Sequence, residues 1–138
     1  MGLEWREQLS VGNDLIDSDH KYLIEVINNA ELSLKAKDRA GLTKALDSLA
    51  KYSTTHFSRE ETIATAVGYP KAEHLHASHA LLITKLDHAK QEIGDVWTDA
   101  AGDFFGVFLR EWLVNHVIKE DMLMKPYLKK HSPRFDPR

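Results

Sequence analysis

The stretch LTKALDSLAKYSTTHFSREETIATAVGYP, residues 42–70, decides the fold. Its apolar positions Leu42, Ala45, Leu46, Leu49, Tyr52, Ile63 and Val67 recur every three to four residues, the spacing of one helical face. Asp38 or a neighbour caps its start, and Gly68-Tyr69-Pro70 stops it, with proline placed where a helix cannot continue. Three other stretches carry the same period. One shows Ile16, Leu23, Ile27, Ala30 and Leu34, with Asp17-Ser18 as cap. One begins near Lys71, shows Leu75, Leu82, Ile83, Leu86, Ala89 and Ile93, and closes at Gly94-Asp95. The last begins near Asp99, shows Phe105, Phe108, Leu109, Trp112, Leu113, Val117 and Leu123, and is broken by Pro126. No segment sustains the two-residue alternation of a strand, so the chain is expected to be all-α. Short connections force sequential helices to run antiparallel, which gives an up-down-up-down four-helix bundle. A single domain is expected over 1–138, with an N-terminal arm at 1–17, the bundle at 18–125 and a C-terminal tail at 126–138. Trp5, Leu9, Val11, Leu15 and Ile16 give the arm enough apolar surface to pack on the bundle.

Composition narrows the function. The 138 residues are 43% hydrophobic and 28% charged, enough for one core with an ordinary polar surface. A net charge of -3 argues against nucleic-acid binding, which normally needs a basic excess. With no cysteine, disulfides, thiolate metal sites and cysteine nucleophiles are excluded. No apolar run approaches the ~18 residues of a membrane span, and Met1–Arg6 does not resemble a signal peptide, so a cytoplasmic address is the default. A monomer is the simplest oligomeric state. The unusual feature is eight histidines.

Several of them interrupt the apolar stripes. His20 precedes Leu23 and Ile24; His56 and Glu60 continue the Leu49–Tyr52 stripe toward Ile63; His79 lies between Leu75 and Leu82; His116 follows Trp112 by four. A buried imidazole or carboxylate without a partner costs a few kcal/mol, about 2–7 for a polar group and more for a charge. His20 and His79 fall early in their helices, and His56, Glu60, His116 and Asp121 fall late. In an antiparallel bundle the starts of helices one and three meet the ends of helices two and four, so all six are expected at one level. Imidazoles and carboxylates together suit iron, zinc or manganese. His56 and Glu60, four apart on a helix, can grip one site together. Four histidines and two acids exceed a single tetrahedral zinc and match two metals bridged by carboxylates. Helix geometry alone would choose Glu120, four past His116, over Asp121.

The chain resembles the hemerythrin family, specifically its bacterial single-domain members. The features that carry the resemblance are Trp5 with Ser10-Val11-Gly12, Ile16-Asp17-Ser18-Asp19-His20, His56-Phe57-Ser58-Arg59-Glu60-Glu61, Gly68-Tyr69-Pro70, His79 and His116-Val117-Ile118-Lys119-Glu120-Asp121. Each is weak alone, but in this order and spacing they cover nearly the whole chain and are specific. The resemblance implies a non-haem di-iron centre: two iron ions, an oxo or hydroxo bridge, and bridging carboxylates. It assigns His20, His56, Glu60, His79, His116 and Asp121 to six of seven protein ligand positions. The seventh, expected four before His79, is Leu75 here. His76 lies about 60° from His79 around a regular helix and His74 about 140° away, so His76 is the favoured replacement. His74 would serve only on an irregular helix. With neither, one iron has an extra open position.

The implied function is reversible binding of dioxygen, for storage, delivery or sensing, rather than enzymatic turnover. Trp112 reads first as core, and with Leu113 it is also placed to wall the oxygen pocket. The alternatives are redox chemistry on peroxide or nitric oxide, to which the Leu75 departure adds weight, and iron buffering. His88 and His131 read as surface residues, Glu61 as a solvated neighbour, and Tyr22, Phe57, Phe105 and Phe108 as core.

Overall fold

Asn13 opens the first helix. Its side chain accepts from the backbone N–H groups of Leu15 and Ile16, both at 3.1 Å, satisfying donors that a helix start leaves unpaired. Helix α1 therefore runs Asp14–Ala36, several residues earlier than Asp17-Ser18 would have started it. Asp17 is freed to hold the arm instead. It accepts from Ser10 Oγ at 2.5 Å and from the Val11 N–H at 2.9 Å. Lys37 ends α1 in the left-handed conformation (φ 56°), and Asp38 caps α2 (Arg39–Ala66) by accepting from the Gly41 N–H at 2.9 Å. Gly68, at φ 74°, turns the chain into α3 (Ala72–Ile93). Gly94 ends α3 at φ 70°, a conformation glycine adopts without a Cβ penalty. Thr98 caps α4 (Asp99–Glu111), which begins where the sequence places it.

This computed structural model describes residues 2–137, with no strand among them. Helix α1 packs on α2, α2 on α3, α3 on α4, and α4 closes on α1. That cycle is the up-down-up-down four-helix bundle expected from the short connections. No helix among the described residues is long and apolar enough to cross a membrane.

The fourth helical stretch is not regular. After α4 the chain widens into a π-helical segment, Trp112–Ile118, then continues as α5 (Lys119–Asp121), a 3-10 turn (Met122–Met124) and α6 (Lys125–Leu128). A wider turn holds an extra residue, so the inward face moves along by one position. Trp112 and Leu113 are buried, and the next buried pair is Val117 and Ile118, five residues on rather than four. The inward stripe then continues through Asp121, Met124 and Leu128. Leu123, expected on that stripe, is 56% exposed. Pro126 sits in the first turn of α6, where its missing N–H matters least, so it restarts the helical path instead of ending it.

The buried apolar residues form two clusters. The larger holds Leu23, Ile27, Leu46, Leu49, Leu86 and Trp112; the smaller holds Val11, Ile16, Ile63, Leu75, Met124 and Leu128. Helices α1, α2 and α3 and the fourth helical stretch, from α4 through α6, each contribute to both, and between the two contributions lies a buried polar residue. His20 falls between Ile16 and Leu23, His56 and Glu60 between Leu49 and Ile63, His79 between Leu75 and Leu82, and Asp121 between Ile118 and Met124. The bundle thus carries a polar layer enclosed by apolar ones. Phe57 and Phe105 are core as expected, while Tyr22 is 41% exposed and rests on the ring of Tyr52.

Candidate metal centre

The polar layer is closed off from the surface. His20, Glu60 and Asp121 are fully buried, His56 is 1% exposed and His79 4%. One ligand atom from each of His20, His56, Glu60 and Asp121 lies within 4.8 Å of the other three. His20 Nε2 is 2.7 Å from Asp121 Oδ2 and 3.9 Å from Glu60 Oε2. His56 Nε2 is 3.4 Å from Glu60 Oε2 and 3.6 Å from Asp121 Oδ2. Donors about 2.0–2.2 Å from a common ion stand roughly 3 Å from one another, so these separations suit one cation among four donors. On the other side of Glu60, its Oε1 is 3.2 Å from His79 Nε2.

The donor atoms test whether a metal belongs here. His56 Nε2, His79 Nε2, both oxygens of Glu60 and Asp121 Oδ1 are buried without a hydrogen-bond partner. Leaving one such atom unmatched costs about 1–3 kcal/mol, and a bundle that gathers five at one level needs a compensating group. A cation bound by neutral imidazole and ionised carboxylate supplies it, and the set of nitrogen and oxygen donors without thiolate suits a transition metal such as iron, zinc or manganese.

Two neighbouring carboxylates orient the rings. Asp19 Oδ2 accepts from His56 Nδ1 at 2.9 Å, which turns Nε2 of His56 toward Glu60 and Asp121. Asp19 is itself fixed by the Tyr52 hydroxyl at 2.7 Å and by Arg59 Nη1 at 2.6 and 2.7 Å. Glu61 Oε2 accepts from His79 Nδ1 at 2.9 Å, leaving Nε2 to face Glu60, and the ring of Phe57 stacks on His79 at 4.0 Å. The other oxygen of Glu61 binds His76 Nδ1.

Charge is divided unequally. Burial alone would raise Glu60, but the His56 charge, with Asp121 and His79 close by, holds it down to about 2. Burial pushes Asp121 up to about 6, and the adjacent Glu60 charge adds to the effect. Burial opposes charging of His56, yet Glu60, Asp121 and Asp19 together raise it well above the usual imidazole range. Burial lowers His20. Asp19, despite burial, is held at about 2 by His56, Tyr52 and Arg59.

Of the seven side chains singled out in the sequence, five meet here: His20, His56, Glu60, His79 and Asp121. The other two, His76 and His116, stand apart from the layer. His76 projects outward, its side chain 74% exposed, because Leu75 occupies the inward position one turn before His79 and seats in the smaller apolar cluster. His116 is exposed because the π-helical segment moves the inward face from position 116 to 117. The same shift turns Asp121 inward, whereas Glu120 accepts from Ser78 Oγ at 2.6 Å. The sequence missed Asp19 and Tyr52 as orienting groups and read Glu61 as a solvated neighbour. His74 is exposed. His88 is on the surface, paired with Glu92.

Residues 11–128 match the family model described as "Hemerythrin HHE cation binding domain". The bacteriohemerythrin of Methylococcus capsulatus is 33% identical over 119 residues, covering 81% of this chain and 85% of that protein. That of Stenotrophomonas maltophilia is 26% identical over 133 residues, covering 96% of this chain and 86% of that protein. A crystal structure of wild-type hemerythrin superimposes with a TM-score of 0.76 at 26% identity, covering 91% of this chain and 97% of that one.

Proposed function

Since the chain belongs to the hemerythrin family, we propose that it is a non-haem iron protein that binds dioxygen reversibly at the buried layer of histidines and carboxylates, for storage, delivery or sensing. The observation that carries this reading is the set of four donors from three helical stretches, His20, His56, Glu60 and Asp121, gathered in the buried core, where His56 Nε2, both oxygens of Glu60 and Asp121 Oδ1 have no hydrogen-bond partner. His79 adds a fifth donor. Glu60 and Asp121, with the three imidazoles, would hold the iron. Ferrous iron supplies the electrons that a dioxygen-binding site needs. The protein supplies the rest. Asp19 and Glu61 hold two imidazoles in the tautomer that offers Nε2. Phe57, Trp112 and Leu113, all buried, keep water out of the layer, and the Trp112 ring is pinned by its Nε1–H to the Leu82 carbonyl at 2.9 Å.

A reversible binder and a redox enzyme separate in one experiment. The reduced, iron-loaded protein is expected to gain a visible absorption band in air and to lose it when oxygen is removed. Irreversible bleaching would contradict a binding role. The exposed positions of His76 and His116 favour a second reading, redox chemistry on peroxide or nitric oxide at an iron with fewer protein ligands. Steady-state peroxide consumption by the iron-loaded protein supports that reading over the first. A cytoplasmic address and action as a monomer complete the proposal.

A further inference from the structure

The two sides of the carboxylate pair are unequally furnished, and from this we infer that the layer holds one metal ion tightly and a second weakly, with Leu75 as the residue that weakens the second. The inference rests on the iron-binding reading above. On one side, Glu60 Oε2 and Asp121 Oδ2 face His20 Nε2 and His56 Nε2, four donors within the reach of one ion. On the other side, Glu60 Oε1 faces a single imidazole, His79 Nε2 at 3.2 Å.

No other side chain nearby makes up the difference. One turn before His79 stands Leu75, 1% exposed and packed with Ile63 and Met124, a hydrocarbon with no atom to donate. His76 is turned to solvent and held there by Glu61. His116 is carried outward by the π-helical segment, and Glu120 is engaged by Ser78. The second position therefore has one protein imidazole where the first has two. Even a lost orienting partner weakens a metal site about 10- to 100-fold, so a missing ligand is expected to cost at least as much.

The test is an anaerobic titration of the metal-free protein with ferrous iron, followed by dialysis against a mild chelator. One iron per chain is expected to survive dialysis and the second to leave, with affinities at least about tenfold apart. Leu75→His places an imidazole one turn before His79 and is expected to retain both irons. Because a buried polar substitution can unfold a bundle, Mn(II) titration of the unaltered protein supplies an independent readout. The paramagnetic resonance signal of a lone Mn(II) should dominate at one equivalent, with coupled pairs appearing only at excess metal. Equal retention of both irons, coupled pairs from the first equivalent, or a folded Leu75→His variant that still keeps one iron would each overturn the inference while leaving the functional reading intact. Retention of no iron by the folded chain would overturn the functional reading as well.

Discussion

Asp19 illustrates how much of the centre depends on a residue that touches no metal. Its carboxylate receives His56, Tyr52 and Arg59 at once, so it orients an imidazole and is itself immobilised. Asp19→Asn keeps the shape but weakens the acceptor and the charge. Iron binding is expected to weaken about 10- to 100-fold with helicity unchanged, measured by competition with a chelator. An unaltered affinity would remove Asp19 from the account. Asp121 makes a second prediction. With its pKa pushed up to about 6, it is protonated below that pH and ionised above it. Metal binding requires the ionised form, so the affinity for iron should begin to fall as pH drops below about 6, and binding at neutral pH should release the proton that His56 carries. Iron retention that stays flat down to pH 4 would contradict this.

At the scale of the element, the π-helical segment is the feature that the apolar pattern concealed. After Trp112 and Leu113, both His116 and Val117 fall at acceptable inward spacings, and four or five residues on stand Glu120 and Asp121. A one-residue phase shift leaves the hydrophobic stripe plausible in either register. The stripe is therefore read as a regular helix, and His116 is placed inward with it. In the structure the extra residue precedes His116, so that Val117, Ile118 and Asp121 take the inward face. Two consequences follow. His116→Ala is expected to leave iron content unchanged, as His88→Ala should. Deleting the exposed Asn115 removes the extra residue while keeping Val117, Ile118 and Asp121 in phase, so the variant should retain both helicity and iron. Circular dichroism and metal analysis read both outcomes, and loss of iron in either variant would place His116 or the π geometry within the site.

Across the whole molecule, the sequence made the bundle legible because four helical stripes with glycine, proline or short polar stops leave few other arrangements. The level of the centre was legible for the same reason: polar residues that break an apolar stripe mark the depth at which the stripe needs a partner. His20, His56, Glu60 and His79 each do this. Residues beside the stripe carry no such mark, which is why Asp19 is not legible as an orienting group and Glu61 reads as a solvated neighbour. The polar layer lies between two apolar clusters, so an unneutralised centre strains the whole bundle and not one helix. A metal that binds the folded but not the unfolded chain stabilises it by about 2.7 kcal/mol at a free concentration 100 times its dissociation constant. Stripping iron with a strong chelator should lower Tm by several degrees, and restoring it should reverse the loss. A Tm indifferent to iron would argue that the layer holds none.

The central claim is that side chains from separate helices chelate iron inside the bundle. Iron content per chain after anaerobic loading, compared between the unaltered protein and His56→Ala, tests it most directly. Bound iron is expected in the first and its sharp loss in the second, with helicity preserved in both. Equal iron in the two proteins, or none in either, would contradict it.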